Sequence, residues 1–321
     1  MSTQVSAATQ VATVGVDEVL AEGGRSRTPA RRSLEVRRPS SRRRLSRTLL
    51  NVAALVVFVC SVFPVYWMVN MSFTQGRQII SRDPDFLPLE FTVQNYLTAW
   101  TREAAPGQTD FPHALLTSSI VTVGVLVVTL LFAFLASIAV ARFHFRGRRG
   151  FIVSVLIIQM IPGEAMMFTI YGMIDDWRLM NTLLGLGIVY LASVIPFTIW
   201  TLRGFVAGVP ADLEEAAMID GCTKSQAFWR VTFPLLAPGL VSTGIFAFIQ
   251  SWNEFTMALL LMKGYNLTLP TWLNSFQSAT EATNWGAVMA GATLISIPVV
   301  IFFLIVQGRM TGGLVAGAVK G

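Results

Sequence analysis

Apolar residues in this chain gather into long runs, and polar and charged residues collect in the stretches between them. A helix needs about 20 apolar residues to cross a hydrocarbon core about 30 Å thick. Six segments approach that length: 49–71, 115–141, 151–173, 183–205, 238–262 and 286–307. The pattern predicts an all-α, polytopic membrane protein with six transmembrane helices. Ahead of the first run lies a polar stretch with Pro29, Pro39 and ten arginines between Arg25 and Arg47. It shows no apolar periodicity, so residues 1–45 read as a disordered basic tail and 46–321 as the membrane domain. A signal peptide also starts basic and turns apolar, but the run over 49–71 is too long for its apolar region and is expected to stay as an anchor.

Charge between the runs sets an expected orientation. The connection after the second run holds Arg142, Arg146, Arg148 and Arg149, while the one after the third holds Asp175 and Asp176 with Arg178. Because basic residues stay on the cytoplasmic side, both termini are expected there, with 142–150 and 206–237 inside and 72–114, 174–182 and 263–285 outside. Composition agrees: 53% of residues are hydrophobic and 13% charged, with a mean hydropathy of +0.59, more apolar surface than a soluble fold of this length could bury. The net charge of +6 flanks apolar runs and so does not argue for nucleic acid. Cys60 and Cys222 sit in an apolar run and a polar loop, with no sign of a bridge or a metal site.

The inside loop 206–237 is far longer than a simple connection requires. Its signals predict two short helices. Pro210 suits a first turn, and Asp212, Glu214 and Glu215 lie near the positive end of a helix dipole. Gly221 supplies a left-handed stop, Thr223 with Gln226 forms a capping box, and Pro234 is expected to end the second helix. Leu213, Ala216, Ala217 and Met218 beside those charges suit docking into a partner's groove; a hairpin lying along lipid headgroups is the alternative.

The order Glu215-Ala216-Ala217, Gly221, nine residues, then Val231-x-Phe233-Pro234 resembles the EAA loop of ABC importer permeases, with Val231 and Phe233 where the family usually has Ile and Leu. Ser251-Trp252-Asn253-Glu254-Phe255 and the glycine-rich end over 313–321 resemble the carbohydrate branch, in particular the MalG-type subunit of maltose-like importers. The resemblance covers about residues 45–321. It implies a type I importer permease fold, a bacterial inner-membrane location, and a coupling helix carried by Glu214, Glu215, Ala216, Ala217, Asp220 and Gly221. It also implies a dimer of ATP-binding subunits, a second, MalF-type permease and an extracytoplasmic sugar-binding protein as partners, with no cofactor on this chain. The loop over 72–114, with Trp100, Phe111 and several acids, would then help receive the binding protein. The implied cargo is a sugar or oligosaccharide, with glycerol phosphate the non-sugar alternative.

Polar groups inside apolar runs are costly, so each is a candidate for the translocation path. Glu254 falls beyond the middle of the fifth run, accompanied by Gln250 and Asn253, whose amides suit sugar hydroxyls, and by Trp252, whose ring suits stacking on a pyranose. Interhelical hydrogen bonding is the alternative for this group. Glu164 follows Pro162-Gly163, a pair expected to break or kink the third run, as a pore-lining bend or as a purely structural one. Pro196 and Pro298 read as ordinary kinks, and His113 and His144 as isolated. The sequence has no Gly-x-x-x-x-Gly-Lys-Ser/Thr phosphate loop, so ATP hydrolysis would belong to a separate subunit and this chain would not be an enzyme. Two other classes are an ion-coupled secondary transporter, which would predict inverted repeats that are not evident and leaves the 206–237 loop unexplained, and a membrane-anchored scaffold or enzyme whose loop binds a signalling partner without transport.

Overall fold

The computed structural model describes residues 41–79, 86–87, 90–101, 109–277 and 283–318, and for 41–47, 77–78 and 309–318 the backbone alone. Most of the expected basic tail, all of the glycine-rich end's side chains and parts of the 72–114 loop lie outside this. Among the described residues the regular structure is helical, apart from one isolated antiparallel bridge between Thr74 and Phe91. The chain divides into residues 1–59 and 60–321. In the first unit the described chain is helical from Ser41 on, with Leu49, Leu50, Leu55 and Phe58 exposed. Helix α1 is assigned to Ser41–Ser72.

The second unit continues with α2 (Gly76–Ile79), α3 (Gln94–Thr101), α4 (Phe111–Arg142), α5 (Arg148–Met160), α6 (Met167–Asp176) and α7 (Leu183–Gly208). Next come α8 (Asp212–Ile219), α9 (Lys224–Ala227), α10 (Phe233–Trp252), α11 (Thr256–Leu261), α12 (Leu269–Asn274) and α13 (Trp285–Ala318). Two of the long helices, α4 and α7, start where the sequence supplies side-chain caps. The Asp110 carboxylate accepts the His113 N–H at 2.9 Å with Pro112 in the first turn of α4, and the Thr182 hydroxyl accepts the Gly185 N–H at 3.0 Å at the start of α7.

Among the described residues, five stretches are long and apolar enough to cross a membrane: Thr48–Ser72, Phe111–Arg142, Leu183–Gly208, Lys224–Trp252 and Trp285–Gly308. The sixth expected span is a bent pair, Arg148–Met160 and Gly163–Asp176, turned by 84°. Pro162-Gly163 does break this span, because proline lacks the N–H that would continue the ladder and glycine stabilises it least.

The fifth span departs from the sequence expectation at both ends. Pro234 does not stop a helix, and the span does not wait until Pro238. Instead α9 runs through one π turn, Phe228–Thr232, directly into α10. The Phe233 N–H reaches back five residues to the Phe228 carbonyl, and this wider turn accommodates a proline that would clash in a regular one. At the far end α10 closes at Trp252 rather than running to Met262, and α11 starts separately.

Helix α4 packs along α7, α10 lies against both, and α13 packs on α10 and α3. A Cβ on Gly239 would lie 2.6 Å from Cγ of Phe205, so this glycine permits the close approach of α10 to α7. One aromatic core joins Phe248, Trp252 and Phe302 with Phe111 and Trp272; a second gathers Val121, Val125, Leu186, Tyr190, Met257 and Leu261. Phe111, expected at a receiving surface, is buried against Trp100 and Trp272, and Trp100 remains half exposed.

Candidate functional site

The two breaks in the spans face one another across a cavity of about 800 Å³, bounded by α5, the bend after it, α6, α7 and the α10–α11 junction. It brings together four of the residues singled out in the sequence: Glu164, Gln250, Asn253 and Glu254. Gln159, Trp177, Tyr190 and Ser193 also line it, and sequence reasoning did not name them. Tyr190 and Ser193 stand three apart on the α7 face that also carries Pro196, a spacing that was available as a signal.

Glu254 builds the junction. Its two carboxylate oxygens accept the Met257 N–H at 2.7 Å and the Ala258 N–H at 3.0 Å, occupying two of the free amides at the start of α11. A negative group there also meets the positive end of the helix dipole. The Tyr190 hydroxyl lies 3.5 Å from the Glu254 carbonyl oxygen. Asn253 donates its side-chain N–H to the Ile249 carbonyl at 3.0 Å, folding onto the last turn of α10 while staying exposed. Gln250 and Glu164 are exposed as well, so amides and one open carboxylate face the cavity.

Trp252 is placed elsewhere. It is 3% exposed and stacks on Phe248 at 5.5 Å within the aromatic core, so its ring presents no free face to the cavity. Within α10, Trp252 stands two residues, about 200° around the helix, from Gln250, so the two side chains leave opposite sides.

The second candidate is α8 with its flanks. Gly221 has φ of 91°, the left-handed value expected of it, and the Gly221 and Cys222 N–H groups bond back to the Met218 and Ala217 carbonyls at 3.1 and 3.0 Å. Both halves of the Thr223–Gln226 capping box form, at 2.9 and 3.3 Å. Glu215, Ala216, Asp220 and Gly221 are exposed, Ala217 is half-buried, and Leu213, Met218 and Ile219 add apolar surface, Ile219 being 86% exposed. Glu214 differs from its neighbours. Its Oε1 accepts the Thr232 hydroxyl at 2.5 Å and lies 3.6 Å from Nη2 of Arg142, so it is turned inward.

Residues 130–312, which hold both sites, match the binding-protein-dependent transport system inner membrane component. The chain belongs to that family. Relatives of this inner-membrane transport component include the diacetylchitobiose uptake system permease protein DasC of Streptomyces coelicolor, 46% identical over 84% of this chain and 96% of that protein. The trehalose/maltose transport system permease protein MalG of Thermococcus litoralis is 34% identical over 86% of this chain and 98% of that one. The trehalose transport system permease protein SugB of Mycobacterium tuberculosis is 33% identical over 81% and 93%. A solved bacterial ABC transporter involved in import of the acidic polysaccharide alginate contains a chain with the same fold, at a TM-score of 0.69 and 22% identity over 84% of this chain and 98% of that one. The transport component is therefore a multi-pass membrane permease of the ABC importer class, and the secondary-transporter and scaffold readings fall away.

Proposed function

We propose that this permease forms one half of a pore importing a neutral sugar or oligosaccharide, with a second permease completing the pore and an extracytoplasmic binding protein delivering the cargo. The names of its relatives, diacetylchitobiose, trehalose and maltose permeases, support a carbohydrate cargo. ATP is hydrolysed on separate subunits that dock at α8, and both termini lie in the cytoplasm, as the basic 142–149 connection argues.

The observation that carries the docking reading is the exposed helix α8, closed at its C-terminal end by Gly221 and followed by the Thr223–Gln226 capping box of α9. A short helix stopped at Gly221, with Leu213, Met218 and Ile219 exposed beside Glu215 and Asp220, has the form of a helix that seats in a partner's groove. Ala216 and Ala217 let the partner's backbone come close, and Gly221 fixes where the helix stops. Capture of the tagged permease from gently solubilised native membranes is expected to bring an ATP-binding subunit, a second permease and a binding protein with it. Ile219→Glu and Glu215→Ala/Gly221→Pro should lose the ATP-binding subunit and keep the second permease. Full retention of the ATP-binding subunit in both variants would sink the docking reading.

The cavity is where this half of the pore meets the cargo. Gln250 and Asn253 offer amides to sugar hydroxyls, Glu164 adds an acceptor, and Trp177 adds an aromatic face. Each neutral hydrogen bond to substrate contributes about 0.5–1.5 kcal/mol. Gln250→Ala/Asn253→Ala together should therefore slow sugar uptake about tenfold with ATP-binding-subunit association unchanged. Uptake at the wild-type rate would move the sugar contacts to the other permease.

A further inference from the structure

The exposed face of α8 explains how a partner could hold it, but not how a push on it reaches the membrane. Its broader contacts are with α9 and the π turn, which follow it directly in the chain. One cluster extends beyond those neighbours. Arg142, in the last turn of α4, donates from Nη2 to the Val209 carbonyl at 3.0 Å. Val209 caps the end of α7, so the guanidinium satisfies a carbonyl that a helix end leaves unpaired. The same Nη2 lies 3.6 Å from Oε1 of Glu214 on α8, and that oxygen accepts the hydroxyl of Thr232 at 2.5 Å. Thr232 is 1% exposed in the π turn at the base of α10.

One carboxylate and one guanidinium thus tie together the ends of α4 and α7, the short helix α8 and the start of α10. The two charged side chains are only 20% and 22% exposed, so water screens their attraction less than at an open surface. The arrangement also separates Glu214 from Glu215 functionally: adjacent acids in sequence, one turned to the spans and one to solvent.

We infer that Arg142, Glu214 and Thr232 form a clasp that transmits movement of α8 to α4, α7 and α10, making them positioning residues for transport rather than part of the docking surface. The inference rests on the reading of α8 as the seat of the ATP-binding subunits. Without the clasp, α8 still docks and ATP is still hydrolysed, but less of the movement reaches the cavity wall.

The test is the ratio of solute accumulated to ATP hydrolysed by the whole purified complex in proteoliposomes, with its binding protein and sugar present. Arg142→Ala and Thr232→Val are expected to lower that ratio about tenfold, a coupling change of ordinary size for linked sites, while the ATP-binding subunits stay bound. Thr232→Ser, which keeps the hydroxyl, should restore the wild-type ratio. The inference is overturned if the ratio is unchanged in both variants, if serine behaves like valine, or if the variants shed the ATP-binding subunits, since the cluster would then only shape the docking face. Absence of ATP-binding subunits from the wild-type complex would instead sink the docking reading, and the clasp with it.

Discussion

Glu254→Ala is expected to abolish uptake and to lower the thermal stability of the detergent-solubilised permease. The substitution strips both hydrogen-bond acceptors from the start of α11, leaving the Met257 and Ala258 N–H groups unpaired in a part-buried junction. Each such orphaned donor costs about 1–3 kcal/mol, so the pair should cost about 3 kcal/mol. Met257 and Ala258 are both buried in the core with Leu261 and Leu186, and loosening α11 disturbs that core as well as the cavity wall. Glu254→Gln should fall between, because the amide keeps one accepting oxygen but turns an NH2 toward a second donor. A melting temperature and an uptake rate for Glu254→Ala equal to wild type would refute the capping role.

The second large effect is expected at Gly185→Ala. A Cβ there would lie 2.3 Å from the Leu179 carbonyl oxygen and 3.0 Å from its Cβ, and a backbone oxygen cannot rotate aside as a flexible side chain can. Gly185 also donates to the Thr182 cap, and the next residue, Leu186, is fully buried. Overpacking of this kind costs about 1–3 kcal/mol or more, and here it would displace the start of a membrane span. Little folded protein should be recovered from membranes. Gly187→Ala, two positions on and with open space around it, should be tolerated or gain about 0.5–1 kcal/mol from better helix propensity. Equal recovery of the two variants, measured by size-exclusion chromatography, would contradict the crowding argument.

What the sequence disclosed depended on the range of the interactions involved. The stop at Gly221 and the Thr223–Gln226 box need only residues a few positions apart, and both form as expected. The bend at Pro162-Gly163 is equally local. Pro234 misled because its local preference was overridden: a π turn absorbs it, and nothing within a few residues announces that turn. The break after Trp252 was hidden for a related reason. Residues 253–255 include neither proline nor glycine, and the apolar run continues past them. Only the carboxylate of Glu254, seen in three dimensions, shows why the chain restarts there. Of the cavity, Gln250, Asn253 and Glu254 were legible as polar groups in an apolar run, whereas Trp252, expected beside them as a stacking face, turns into the aromatic core. The contributions of Tyr190, Ser193 and Trp177 come from other segments and required the folded chain. The same holds for Arg142 and Thr232, each remote in sequence from Glu214.

The π turn at the base of α10 also sets a rotational phase. Phe228 and Phe233, five apart, would point about 140° away from each other on a regular α-helix, which advances about 100° per residue. Here both rings reach Phe134 on α4, with centroids at 6.3 and 5.8 Å. The turn has taken up one extra residue, and everything beyond it is offset by about 100° from the positions a continuous wheel drawn from Lys224 would assign. Gln250 and Asn253 face the cavity because of that offset. Removing one residue between 228 and 232 would therefore turn the polar side of α10 away from the space it lines, and would force Pro234 into a regular turn that it fits poorly.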